Sequence, residues 1–378
     1  MSDVSRRAFV GWAAVAGGIA AAGPTAAKKA PALAVDFTGD GLPLTPADYA
    51  NLLARLTASG GVTADEYCRG GEVEALEAQF AGLLGKEAAV FMPSGTLANQ
   101  LAVRKLAGLR RRVLVQDVSH YYNDSGDCAE QLSQLNAIPL APGKATFAWV
   151  DVERALERAT SGRVATEVGV IAIESPVRRL HGETFDFEEM RRVSTEARKR
   201  GIALHLDGAR LFVASAYSAR PPAEYAALFD TVYVSLWKCF NSGSGAILAG
   251  SKAALADMYQ ARRMFGGALW NGWSFAAVAR HYADGYLGRL TAAVRVSEAM
   301  LADLSSDRRF SIERVPNGTS LFRLTPQGTD AGAYRERLRA RGVLIAPPDA
   351  GGFWLKVNET LRGASPAALT DAFRGALA

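Results

Sequence analysis

Short apolar runs separated by longer amphipathic stretches set the rhythm of this chain. Residues 88–92, 113–115, 136–140, 168–174, 203–207, 231–235 and 246–249 read as strands, with helical stretches between them. That alternation predicts an α/β fold built on a mostly parallel sheet with helices on both faces. Between two of these strands, apolar Met190, Val193 and Ala197 recur at helical spacing in an otherwise polar stretch. Gly201 supplies a stop, so a helix is expected over 187–200, covering one face of the sheet. A long helix is expected over 273–300, leading to a smaller α+β part with pieces at 320–324, 331–341 and 352–357. The chain has no internal repeat and no low-complexity linker.

A chain of 378 residues, 49% hydrophobic and 21% charged, can bury a sizeable core and is expected to divide once. The expected boundaries are a large domain with an N-terminal arm over 28–290 and a small domain over 291–378. Residues 1–27 carry a different message. Ser5-Arg6-Arg7-Ala8-Phe9-Val10 leads into a weakly apolar run and ends on Thr25-Ala26-Ala27, which resembles a twin-arginine export signal. The run has about 13 residues, short of the roughly 20 needed to span a bilayer. The expectation is export of the folded protein by the twin-arginine machinery to the periplasm, with the cytoplasm as the alternative.

The net charge of +5 comes from scattered Lys and Arg, including Arg110-Arg111-Arg112 and Arg191-Arg192. With no aromatic residues interleaved, these read as solvated faces and not as a nucleic-acid surface. Cys68, Cys128 and Cys239 have no metal-ligand spacing, and an odd count gives no disulfide framework. No metal is expected.

The candidate chemistry lies at strand ends. Asp207, in His205-Leu206-Asp207-Gly208-Ala209-Arg210, and Lys238, 31 positions later, follow successive strands. Lys238 sits among Leu236, Trp237, Cys239 and Phe240, so its side chain either snorkels from an apolar wall or enters a pocket. A lysine and a carboxylate are what a pyridoxal enzyme needs: an amine to hold the cofactor aldehyde, and an acid to keep the pyridine nitrogen protonated. In Phe91-Met92-Pro93-Ser94-Gly95-Thr96-Leu97-Ala98-Asn99 a strand stops at proline and a helix begins. Its free N–H groups, two hydroxyls and positive dipole end suit a phosphate. Ser94 also suits ordinary helix capping. The common location of all three features, at the carboxyl ends of strands in one open sheet, favours a ligand site.

Together with Gly85-Lys86-Glu87-Ala88-Ala89, His120, the Ser235 to Lys238 stretch and Arg262-Arg263-Met264-Phe265-Gly266-Gly267, these motifs give the chain a resemblance. Over residues 36–272 it resembles the threonine aldolase and aromatic amino acid beta-eliminating lyase group of fold-type I pyridoxal phosphate enzymes. The resemblance implies a seven-stranded sheet, pyridoxal 5'-phosphate as cofactor, a small amino-acid substrate and a homodimer or homotetramer. It assigns Lys238 to the aldehyde, Asp207 to the pyridine nitrogen, and Ser94, Gly95 and Thr96 to the phosphate. Arg210 would lie beside the ring, and His120 would stack on it and serve as a candidate base. The implied reaction is cleavage of the Cα–Cβ bond of a β-hydroxy amino acid to glycine and an aldehyde.

The chain also departs from this group. After Glu174 it reads Ser175-Pro176-Val177-Arg178-Arg179-Leu180-His181-Gly182, where relatives continue with Asn, Thr and a substrate-facing His. Either His181 takes that role from a shifted position, or Arg178 or Arg179 binds a carboxylate. Lys356, in Phe353-Trp354-Leu355-Lys356, falls where many relatives hold a carboxylate-binding arginine, and it lacks the planar fork of that residue. Leu269-Trp270-Asn271 and Arg69-Gly70-Gly71 are further departures, and Gly39 replaces a serine in Asp36-Phe37-Thr38-Gly39-Asp40. These changes leave β-elimination or racemisation of another amino acid open. A pyridoxal-fold protein that binds without turnover is the remaining alternative, and the intact Lys238, Asp207 and Ser94-Gly95-Thr96 set argues against it. His205 shares a sheet face with Asp207 and is read as structural. His281 lies in no motif.

Overall fold

The computed structural model describes residues 33–377, and the twin-arginine-like stretch 1–27 lies outside the described residues. In chain order the strands are β1 (Val35–Asp36), β2 (Ala88–Met92), β3 (Arg112–Gln116), β4 (Asn136–Leu140), β5 (Val168–Glu174), β6 (Ala203–Asp207), β7 (Thr231–Ser235), β8 (Ala246–Gly250), β9 (Phe310–Arg314), β10 (Leu321–Pro326), β11 (Val343–Leu344) and β12 (Phe353–Lys356). The main sheet has seven strands in the order β2-β8-β7-β6-β5-β3-β4. Its pairs are parallel from β7 through β4, and β8 runs antiparallel to both β2 and β7.

Side-chain alternation assigns the two faces of this sheet. Ile171, Ile173, Leu204 and Leu206 pack on one side with Met190, Val193 and Ala197 of the helix Phe187–Lys199. Val113, Val115, Val170 and Ala172 pack on the other, with Val103 and Ala107 of the helix Gly95–Ala107. Every residue of β5 is buried, as expected for a parallel strand covered on both faces. By the same alternation Glu174, His205 and Asp207 lie on the face covered by helix Gly95–Ala107.

A smaller antiparallel sheet, ordered β12-β10-β9, has its own core of Phe322, Leu324, Tyr334, Phe353, Leu355 and Phe373. The N-terminal arm joins this core: β1 pairs in parallel with β11, and Val35 and Phe37 are buried there. Neither β1 nor β9 was legible in the hydropathy pattern, because a strand of two residues and one with a single buried side chain carry almost no periodic signal. The single helix expected over 273–300 forms as two, Trp273–Ala283 and Tyr286–Ser305. Gly285 between them adopts φ 61°, a left-handed conformation open to glycine at little cost. Apolar spacing on either side does not reveal a one-residue reversal. Among the described residues no helix is long and apolar enough to cross a membrane.

Candidate functional site

The carboxyl ends of β2, β3, β5, β6 and β7 point the same way, so the segments that follow them converge. Lys238 is carried on the short turn Leu236–Cys239 directly after β7. Burial, and then the charge of Arg210, lower the pKa of its amine, while Asp207 and Asp40 act the other way. Its Nζ lies 5.3 Å from the centroid of the Trp237 ring. The N-terminal arm folds over this turn. Asn241 Oδ1 accepts from the Leu42 N–H at 2.7 Å, and a Cβ on Gly41 would stand 2.7 Å from the Lys238 carbonyl oxygen. Only glycine allows that approach. A cavity of about 380 Å³ opens here, lined by Lys238, Trp237, Asn241, Thr38, Gly39 and Asp40 among others.

Asp207, 6% exposed, ends β6. Its Oδ2 accepts from Asn99 Nδ2 at 2.6 Å and its Oδ1 from the Ala209 N–H at 3.1 Å. Both bonds fix the orientation of the carboxylate. The turn after β2 is capped by Ser94, whose Oγ accepts from the Leu97 N–H at 3.2 Å. The N–H groups of Gly95 and Thr96 precede the first intrahelical bond and are left for a ligand or solvent. Ser94 and Thr96 are exposed while Gly95 is buried against Tyr233. This donor set fits a phosphate, Lys238 fits an aldehyde, and Asp207 fits a protonated ring nitrogen. The residues present therefore suit pyridoxal phosphate.

His120 begins a short helix after β3. Glu174, at the end of β5, holds its backbone: Oε2 accepts from the His120 N–H at 2.6 Å, and Oε1 from the Arg178 N–H at 2.9 Å. In the β5–β6 register Glu174 stands beside Asp207. Burial first, and that neighbouring charge second, push the Glu174 carboxyl up from the usual range. Asp124 lies four residues after His120, with Oδ2 3.6 Å from the imidazole Nδ1. It also accepts from Arg178 at 2.5 Å and Arg179 at 2.8 Å. Arg179 foremost, and then Arg178, hold its carboxyl at about 2 against the effect of burial.

The remaining sequence-predicted residues are also engaged within the protein. Arg210 and Lys356 share Asp40. His181 stacks on Trp354 with ring centroids 3.8 Å apart and planes within 7°. That stack joins the loop after β5 to the small sheet, beside the Thr319 hydroxyl bond to the Gly182 carbonyl at 3.0 Å. Asn99, Glu174 and Asp124 were not singled out from sequence. The four-residue spacing from His120 to Asp124 and the shared parity of Glu174 with the strand-end acids were the available signals. Asn99 gave none beyond its place in the Ser94-Gly95-Thr96 motif. Cys68, Cys128 and Cys239 are buried and free.

A mostly parallel seven-stranded sheet with a lysine, an acid and a helix start gathered at one end defines the fold-type I pyridoxal phosphate class. Residues 54–330 match the beta-eliminating lyase family, and the chain belongs to that family. It is 30% identical over 218 residues to the low-specificity L-threonine aldolase of Candida albicans, covering 57% of this chain and 58% of that one. An alanine racemase of Cochliobolus carbonum is 29% identical over 205 residues, 54% of this chain and 52% of that one. The chain thus aligns with little more than half the length of these relatives. Among solved structures, a Listeria monocytogenes protein described as an L-allo-threonine aldolase is 26% identical. It superposes with a TM-score of 0.75 over 91% of this chain and 95% of its own.

Proposed function

We propose that the chain is a pyridoxal phosphate-dependent lyase that cleaves the Cα–Cβ bond of a β-hydroxy amino acid to glycine and an aldehyde. The observation that carries this reading is the convergence of Lys238, Asp207 and the Ser94-Gly95-Thr96 helix start at the carboxyl ends of adjacent parallel strands. Family membership and the threonine aldolase relatives support it. When bound, the cofactor supplies an electron sink for the bond pair released at Cα.

The chain's own residues do the rest. A lowered pKa gives the Lys238 amine a larger uncharged fraction near neutrality, so it can hold the aldehyde, yield to the substrate amine and accept or return a proton. Asp207, at the end of β6, would hold the pyridine nitrogen and keep a proton on it. His120 would stack against the ring and take the proton of the β-hydroxyl, with Asp124 Oδ2 3.6 Å from its Nδ1 to orient the imidazole. Arg210 and Lys356, together carrying one more positive charge than Asp40 cancels, receive the substrate carboxylate. The Glu174 bonds to His120 and Arg178 keep the two flanking loops in place.

The test uses purified protein supplied with pyridoxal phosphate and L-threonine, L-allo-threonine, β-phenylserine or L-serine. Glycine with stoichiometric aldehyde is the expected outcome, together with a yellow protein whose colour and activity vanish in Lys238→Ala. The corresponding 2-oxo acid (pyruvate from L-serine, 2-oxobutyrate from the threonines) and ammonia without glycine would replace this reading with β-elimination. A protein that stays colourless with the cofactor, identical to Lys238→Ala, overturns the cofactor assignment.

A further inference from the structure

A buried chain of hydrogen bonds ends on Asp207, and its direction is fixed at every link. The Asp207 carboxylate can only accept, so Asn99 presents Nδ2 to it at 2.6 Å and turns Oδ1 the other way. That oxygen lies 2.9 Å from His205 Nε2, which therefore carries the ring proton. In a neutral imidazole Nδ1 is then the acceptor, and the Thr231 hydroxyl at 2.8 Å donates to it. Thr231, His205 and Asn99 are 0%, 1% and 1% exposed. Burial holds the His205 pKa down at about 4, although Asp207 opposes this, so the ring is neutral at physiological pH.

The fold places these residues with little freedom. His205 pairs with Thr231 across the β6–β7 register, and His205 and Asp207 share a face of one strand. Asn99 belongs to the helix capped by Ser94. One rigid helix thus carries both the N–H groups suited to phosphate and the amide that grips Asp207.

We infer that Asn99 is a positioning residue for Asp207, and that His205 and Thr231 serve as its fixed backing, so that the distance from the phosphate turn to the pyridine-facing carboxylate is set by helix Gly95–Ala107. The inference rests on the pyridoxal phosphate reading above. Asn99 stops the Asp207 carboxylate from rotating, and the neutral histidine keeps Asn99 from flipping. A flipped amide would set oxygen against oxygen at 2.6 Å.

The experiment titrates apo protein with pyridoxal phosphate and follows the visible absorption band and its pH dependence. Thermal unfolding of the apo protein is measured alongside. Wild type must bind and colour; if it does not, the cofactor reading itself fails, whatever the variants do. Given that, Asn99→Leu is expected to bind about tenfold or more weakly, the worth of one hydrogen bond to a charged group. Its band should respond to pH differently from wild type. His205→Gln, which can still donate to Asn99 Oδ1, should stay closer to wild type than His205→Leu. An Asn99→Leu protein that folds and matches wild type in affinity and band overturns the inference. If Asn99→Leu does not fold, the near-isosteric Thr231→Val decides: a shift in affinity or band in the same direction supports the chain, and identity with wild type overturns it.

Discussion

Asp40 accepts both fork nitrogens of Arg210, Nε at 2.9 Å and Nη2 at 2.8 Å, and Lys356 Nζ at 3.2 Å as well. Burial disfavours the charged carboxylate, but these two cations outweigh it and hold the Asp40 pKa at about 2. Asp40→Asn leaves two cations short of a counter-charge inside the protein. The expected cost is about 1.5–3 kcal/mol of stability at pH 7, the range for hydrogen bonds to charged groups. A depressed carboxyl gives stability that is fully present above its unfolded pKa and lost as pH falls through the folded one. The difference between wild type and Asp40→Asn in urea midpoints should therefore hold down to about pH 3.8 and shrink towards pH 2. A difference that is small at pH 7 would show the cluster to be energetically idle.

On the proposed reading, Lys356 would offer a substrate carboxylate a point charge where an arginine would offer a fork. Lys356→Arg should lower KM for the amino acid about three- to tenfold with kcat little changed, because a bidentate contact is stronger in ground state and transition state alike. Lys356→Met should raise KM. Steady-state kinetics on both variants check this, and an unchanged KM in both would confine Lys356 to its Asp40 contact.

The fold was legible where each residue's role is written in its neighbours along the chain. Thr231–Ser235 and Val168–Glu174 are bounded apolar runs, and Lys238 and Asp207 follow such runs at fixed offsets. Roles fixed by tertiary approach were not legible. Asp40 meets Arg210 across 170 positions, and Asn99 meets Asp207 across 108. His205, read as structural, is buried and fully bonded, but its bonds lead to Asp207, a connection that strand alternation alone could not supply.

Gly95 is the tight point of the helix start. A Cβ there would stand 1.9 Å from the Tyr233 hydroxyl oxygen and 2.3 Å from the ring carbon that bears it, and Tyr233 is buried at 4% exposure with little room to yield. Gly95→Ala must displace either the tyrosine or the turn. Overpacking of this kind costs about 1–3 kcal/mol. The shifted N–H groups should weaken cofactor binding about tenfold or more, since misplacement by about 1 Å is costly in a preorganised site. Thermal unfolding of the apo protein and a pyridoxal phosphate titration measure the two effects separately. Unchanged cofactor affinity would mean that this turn does not hold the phosphate.

Glu174 offers a pH-dependent test of how the site is braced. Each of its oxygens accepts one backbone N–H, from His120 and Arg178, and Glu174→Gln can keep only one of these because the amide nitrogen cannot accept. The lost bond is a cost to the variant of about 1–3 kcal/mol that does not itself depend on pH. Burial and the adjacent Asp207 raise the wild-type pKa from the ordinary 4.5 to about 7. A group whose folded pKa is raised binds its proton more tightly in the native state. Its contribution to stability is then fully present below the unfolded pKa and is lost as pH rises through the folded one. Wild-type stability should therefore fall relative to Glu174→Gln as pH climbs above 4.5, a trend that neutral glutamine cannot show. Urea midpoints of the apo proteins from pH 4.5 to 8 would reveal it as converging curves. Parallel curves would mean that the two backbone donors keep Glu174 ionised throughout, outweighing both burial and Asp207.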